Sequence, residues 1–241
     1  MKLLTSEEFL ETKKSNTMVV LGSGYSIKSI SESGWNKISQ FDSIGFNWFC
    51  HHSFGPNYFL VREQASNASR NRGMERMANL YSDLSKSSYI NTVVIISDMS
   101  RTASAPYSLK RHKKNIKQKG IIKKDLKGRY RRKFIKRSIF EKGIFHGRCT
   151  LTNVIHIILS MKYEKIIFAG VDLNNCQYFW LPSNKTRKSF MKLSKKSKHP
   201  IARKTLPLIR DLKTNFKIGM ISISRKSLLN KVIPYKHIDE I

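Results

Sequence analysis

A doubly wound, mainly parallel α/β sheet is the fold the sequence predicts, and three observations predict it. Five short apolar runs stand out: MVVLG (18–22), SIGFN (43–47), VVIIS (93–97), KIIFAG (165–170) and IGMISIS (218–224). Most lack strict alternation, as strands buried on both faces do. Helical patterns separate them at 74–86, 152–163 and 202–215. Strands alternating with helices pair in parallel through crossovers.

The elements follow in order. The first residues, MKLLTSEEFLETKK, carry acids where a signal peptide needs an apolar stretch, and Thr5-x-x-Glu8 has the form of a helix capping box. The run 18–22 then falls into a turn, VLGSGYS (20–26), built from two glycines and two serines. A turn so rich in backbone N–H groups and so poor in bulk lies against something, and a phosphate or nucleotide is the usual occupant. YFLV (58–61) is a weaker sixth strand. The helix at 202–215 contains Pro207, which is expected in its first turns. In such sheets ligands bind beyond the carboxyl ends of the strands. The glycine turn, Asn47, and the group Gly170, Asp172 and Asn174 all fall there.

At 241 residues one domain is expected over 1–241, with apolar residues at 40% to build its core. The formal charge is +30, from 46 Lys and Arg against 16 Asp and Glu. Such a chain repels itself away from anionic surroundings, so nucleic acid, acidic lipid or a phosphorylated glycan is expected nearby. The charge concentrates in 110–137, where 15 of 28 residues are Lys or Arg, and in 185–204, which has nine basic residues and no acid. These are read as a basic helical insertion over about 100–145 and a basic lid over about 181–204. Cys50, Cys149 and Cys176 are odd in number and form no CxxC pair, so neither a disulfide framework nor a zinc site is indicated, and a reducing cytoplasm fits. No apolar stretch approaches the roughly 18 residues that span a bilayer, so any membrane contact is peripheral.

Several nucleotide chemistries are disfavoured. A dinucleotide fingerprint needs a third glycine where Ile27 stands, and an acid at the end of the second strand, where Asn47 stands and Asp42 comes too early. No Gly-Lys-Ser/Thr follows the turn, which excludes a P-loop. Asp-x-Asp, the arrangement that holds a divalent ion against a sugar-nucleotide diphosphate, is absent. A nucleotide donor with a single phosphate does not need that ion, so no metal or other cofactor is expected.

Four segments in register, VVLGSGYSIKSI, FDSIGFNWF, RCTLTNVIHIILSMKYEKIIFAGVDLNN and HPIARKTLPLIRDLKTNFKIGMISISRKSLL, resemble bacterial sialyltransferases that use CMP-sialic acid, and the related lipopolysaccharide enzymes that transfer Kdo from CMP-Kdo. The resemblance covers roughly 18–50 and 145–235. It implies a Rossmann-like, sialyltransferase-type single domain and an inverting transfer of a 2-keto-3-deoxy acid sugar from CMP to a hydroxyl of a lipopolysaccharide or capsular glycan. It places Gly22, Ser23, Gly24 and Ser26 beneath the CMP phosphate and ribose, Asn47 near the reacting sugar, and Thr150 or Thr152 on the sugar carboxylate at a helix N-terminus. Gly170 and Asp172 match a Gly-Ile-Asp that holds cytosine and ribose. Two phosphate-binding tyrosines of the relatives correspond to Asn174 and to Tyr178 or Trp180, with Lys185 or another base of the 185–204 run as a substitute. His199 falls within one residue of the catalytic histidine. Imidazole suits the removal of a hydroxyl proton at neutral pH. His51, His52, His112, His146, His156 and His237 are given no role.

The expected partners are therefore the CMP-sugar, a lipid-linked or surface-glycan acceptor, and the anionic inner face of the bacterial inner membrane. Two rival readings remain. A nucleic-acid-binding or RNA-modifying protein fits the charge, although the basic runs lack interleaved aromatics for base stacking. A glycan or lipid binder without catalysis fits the missing first tyrosine.

Overall fold

The computed structural model describes residues 2–62, 80, 82–98, 118–127, 135–147, 149–173, 177–182 and 200–241. The chain is an α/β protein on an open, mainly parallel sheet, as the sequence predicts. The strands are β1 (Lys2–Leu3), β2 (Thr17–Leu21), β3 (Asp42–Phe46), β4 (Tyr58–Arg62), β5 (Val93–Asp98), β6 (Lys119–Lys127), β7 (Ile144–His146), β8 (Lys165–Ala169) and β9 (Gly219–Ser222). The helices are α1 (Ser6–Leu10), α2 (Glu32–Ile38), α3 (Ile139–Lys142), α4 (Thr150–Ser160) and α5 (Pro200–Asn215). The fold divides into two compact units, residues 1–14 with 44–161, and 15–43 with 162–241.

In the first unit the strand order is β1-β6-β5-β4-β3, with β7 on β6, and every pair is parallel. Tyr58, Phe59, Leu60 and Val61 of β4 and Val94, Ile95 and Ile96 of β5 are almost wholly buried on both faces, which is why these runs read as continuous apolar stretches. α4 is buried nearly all round, from Leu151 to Ile158, the signature of an interior helix. His156 on α4 accepts from the Phe145 amide through Nδ1 at 2.8 Å, and its Nε2 lies 2.6 Å from the Arg137 carbonyl. The accepting Nδ1 fixes the neutral tautomer with the proton on Nε2.

In the second unit β2, β8 and β9 lie side by side, again parallel, with Leu21 opposite Ala169 and Phe168 opposite Ser222. α5 turns Ala202, Thr205, Leu208, Ile209 and Leu212 inward at helical spacing. Asp42, the acid that comes too early to hold a ribose, is buried and accepts from the Ser15 amide at 3.0 Å and from the Tyr163 hydroxyl at 2.8 Å. The Thr5–Glu8 capping box is formed as predicted.

Three features differ from the sequence reading. Lys119–Lys127, inside the segment read as a basic helical insertion, is a nine-residue strand. Its lysines hide the β period, yet Lys123 lies over the Phe140 ring at 5.2 Å, and Asp125 is fully buried against Arg62 at 2.9 Å. The short strands β1 and β7 were not anticipated. Helix α5 begins at Pro200, so Pro207 lies in its interior and not in its first turns.

Candidate nucleotide site at the strand ends

The carboxyl ends of β2, β8 and β9 are neighbours because the strands are, and the loops that leave them build one hydrogen-bonded cluster. The Gly22 amide donates to the Ala169 carbonyl at 2.8 Å and the Gly24 amide to the Gly170 carbonyl at 2.8 Å. The Ser26 amide donates to Oδ2 of Asp172 at 3.0 Å, and the Ser26 hydroxyl donates to Oδ1 of the same carboxylate. Residues separated by 146 positions are thereby joined. From the third strand end, the Ser224 hydroxyl accepts the Gly170 amide at 3.1 Å and lies 2.8 Å from the Ser26 hydroxyl. Ser227 donates to the Val171 carbonyl at 2.7 Å, and the Leu228 amide to the Asp172 carbonyl at 2.9 Å.

This geometry answers what the glycine turn holds. A side chain on Gly24 would bring its Cβ within 2.6 Å of the Asp172 carboxylate and of the Gly170 carbonyl. Gly170 itself has φ +67°, the left-handed region where a Cβ is strained. The glycines let two loops touch, and the amides of Gly22, Gly24 and Ser26 are used on that contact instead of on a phosphate. Asp172 and the Ser26 oxygen add acceptors to the cluster: a mostly buried carboxylate and a hydroxyl oxygen beside it.

The structure thus brings together Gly22, Ser23, Gly24, Ser26, Gly170 and Asp172. Tyr178 joins them through an antiparallel bridge to Gly24, and its ring stacks on Trp180 with centroids 6.1 Å apart. His199, Asn174 and Lys185 lie outside the described residues, as does most of the proposed lid and much of the basic insertion.

Asn47 and the two threonines belong to the first unit. Asn47 directly follows β3, is exposed and has φ 56°, a conformation asparagine tolerates and bulkier residues avoid. Its turn is pinned by the Tyr89 hydroxyl, which donates to the Phe49 carbonyl at 3.1 Å, and by Asp83, which bridges His51 at 3.0 Å and Lys86 at 2.6 Å. The Cys50 thiol, also beside Asp83, is pushed up to about 12 by burial and then by that carboxylate. Cys50, His51 and Asp83 are the only group with metal-ligand potential among the described residues. The Asp83 oxygens already serve His51 and Lys86, so the cluster is complete as an anchor for the turn. Thr152 is buried, accepting from the Gly147 amide at 2.7 Å and donating to the Cys149 carbonyl at 2.6 Å. Thr150, half-buried at the first position of α4, is the better placed of the two for a ligand.

The fold has relatives among solved structures. A variant of the sialyltransferase CST-II in complex with CMP is similar at a TM-score of 0.52 and 14% identity, over 91% of this chain and 85% of that one. The monofunctional α-2,3-sialyltransferase Cst-I from Campylobacter jejuni is similar at 0.51 and 12% identity, over 99% of this chain and 84% of that one. The fold is sialyltransferase-like. No protein-family model and no curated protein matches the sequence, as expected when a fold is kept at identities this low. Within this sialyltransferase-like frame the sequence reading missed Ser224, Ser227 and Leu228, which brace the Asp172 loop. The one signal, and for Ser224 alone, was the pair of serines ending the IGMISIS run, hydroxyls beside core residues.

Proposed function

We propose that the protein is a metal-independent glycosyltransferase that takes a 2-keto-3-deoxy acid sugar, Kdo or sialic acid, from its CMP donor. The acceptor is a hydroxyl of a lipopolysaccharide or capsular glycan. The observation that carries this reading is the Ser26–Asp172 contact. It supports a nucleoside site at the carboxyl ends of β2 and β8, where open parallel sheets bind ligands. The CMP held by CST-II on a fold of this kind supports the same assignment.

In this reading Asp172 and Ser26 accept hydrogen bonds from ribose or cytosine, and Tyr178 and Trp180 border the turn. His199 takes the acceptor proton as the hydroxyl oxygen attacks the anomeric carbon. The bond from that carbon to the phosphate oxygen breaks, its electron pair leaves with CMP, and the centre inverts. Incubation with CMP-Kdo and CMP-sialic acid, with CMP release followed over time, tests the proposal. Release from one donor that falls at least about 100-fold in His199→Ala, the scale of general base catalysis, is the expected result. Release from neither donor, or release unchanged in the variant, overturns it.

A further inference from the structure

We propose that Ser224 is a positioning residue that sets the polarity of the nucleotide site: it fixes the proton order of a relay so that Ser26 and Asp172 present only acceptors, selecting a hydrogen-bond-donating group of the ligand over an anion.

The proton order follows from what each group has to give. The Gly170 amide is a donor only, so it donates to the Ser224 oxygen, 3.1 Å away. A carboxylate is an acceptor only, so the Ser26 hydroxyl spends its single proton on Asp172. The contact between the Ser26 and Ser224 oxygens, 2.8 Å apart, then has one proton left to use, and it belongs to Ser224. The relay runs from the Gly170 amide through Ser224 and Ser26 to the carboxylate, and each bond polarises the next. Ser224 is buried and Asp172 nearly so, whereas Ser26 is half-buried and open to a ligand.

The consequence is specific. With its proton committed and one lone pair filled by Ser224, the Ser26 oxygen can only accept from a ligand, beside a carboxylate that can only accept. Hydroxyls of a sugar ring match that face, and a phosphate does not. Removing the Ser224 hydroxyl takes away the donor that holds the Ser26 oxygen in line, so that Ser26 keeps only its bonds to Asp172, and the Gly170 amide loses its acceptor. Ser224 stands at the end of β9 in chain order SIS-RK-S, and no feature of the turn or of the Gly170–Asp172 segment identifies it.

This inference rests on the CMP reading above, so the test separates the two. Affinities for CMP and for 2′,3′-dideoxycytidine monophosphate are measured by calorimetry for the wild type, Ser224→Ala and Ser224→Thr, with thermal midpoints recorded without ligand. The wild type is expected to favour CMP by about tenfold, the scale of a hydrogen bond to a charged group. In Ser224→Ala that preference is expected to shrink below about threefold, and in Ser224→Thr to return, because coupling between a residue and a ligand group appears as a change in the ratio. A merely structural role lowers the midpoint and weakens both ligands alike; an unchanged ratio therefore overturns the positioning role while leaving the CMP reading standing. If the wild type binds neither nucleotide, both readings fall.

Discussion

At the residue scale, the turn that looks like a phosphate cradle is a joint between two loops. Gly24 has φ −70°, which any residue adopts, so its requirement is space alone. Gly24→Ala is expected to cost about 1–3 kcal/mol through overpacking against Asp172 and Gly170, read as a lower denaturant midpoint in urea. It is also expected to weaken CMP binding. His156 makes a second residue-level statement. Burial, the larger influence, holds its imidazole below the usual value of 6.5, while the Arg137 carbonyl pushes the other way. A folded-state value below the unfolded one means the unfolded chain takes up the proton first. The stabilisation is therefore complete above about 6.5 and is lost as the pH falls below it. His156→Gln is expected to flatten that part of the stability profile between pH 7 and 5, measured by chemical denaturation; an unchanged slope contradicts the assignment. The residues of the candidate site were legible only in part. Gly22, Gly24, Ser26 and Asp172 stood out by composition and resemblance, whereas the demand for glycine came from close approach to Gly170 and Asp172, far away in the chain, which no local pattern encodes.

At the element scale, the six strands read from apolar runs are all present, because parallel strands buried on both faces leave a continuous signal. Strand β6 was hidden by its charge. Lysine stems can cross apolar surface while their ammonium groups reach water, as Lys123 does over Phe140, so the segment scores as solvated although it pairs with β5. Its one acid is the exception. Arg62 on β4 reaches Asp125 on β6, and the Asp125 side chain is wholly buried. Arg62→Met is expected to destabilise the fold by about 3–5 kcal/mol, the cost of a buried charge stripped of its partner. The double variant Arg62→Met/Asp125→Leu is expected to recover much of that loss in the same denaturation measurement. Helix α5 shows the converse error: Pro200 supplies a ready first turn, so the helix starts earlier than its apolar pattern and leaves Pro207 inside.

At the scale of the whole molecule, a charge of +30 must be balanced by what surrounds the protein at work. No helix among the described residues is long and apolar enough to cross a membrane. We propose that this charge meets an anionic lipid surface where a lipid-linked acceptor resides. Cosedimentation with vesicles containing anionic lipid, lost in high salt and stronger than retention by tRNA, is the expected outcome. Preference for tRNA would return the charge to nucleic acid. The central claim, that a cytidine monophosphate sits across the ends of β2 and β8, is tested most directly by a crystal structure of the protein grown with CMP. The account predicts the nucleoside hydrogen-bonded to Asp172 and Ser26. Nucleotide bound elsewhere, with that cluster unchanged and empty, would contradict it.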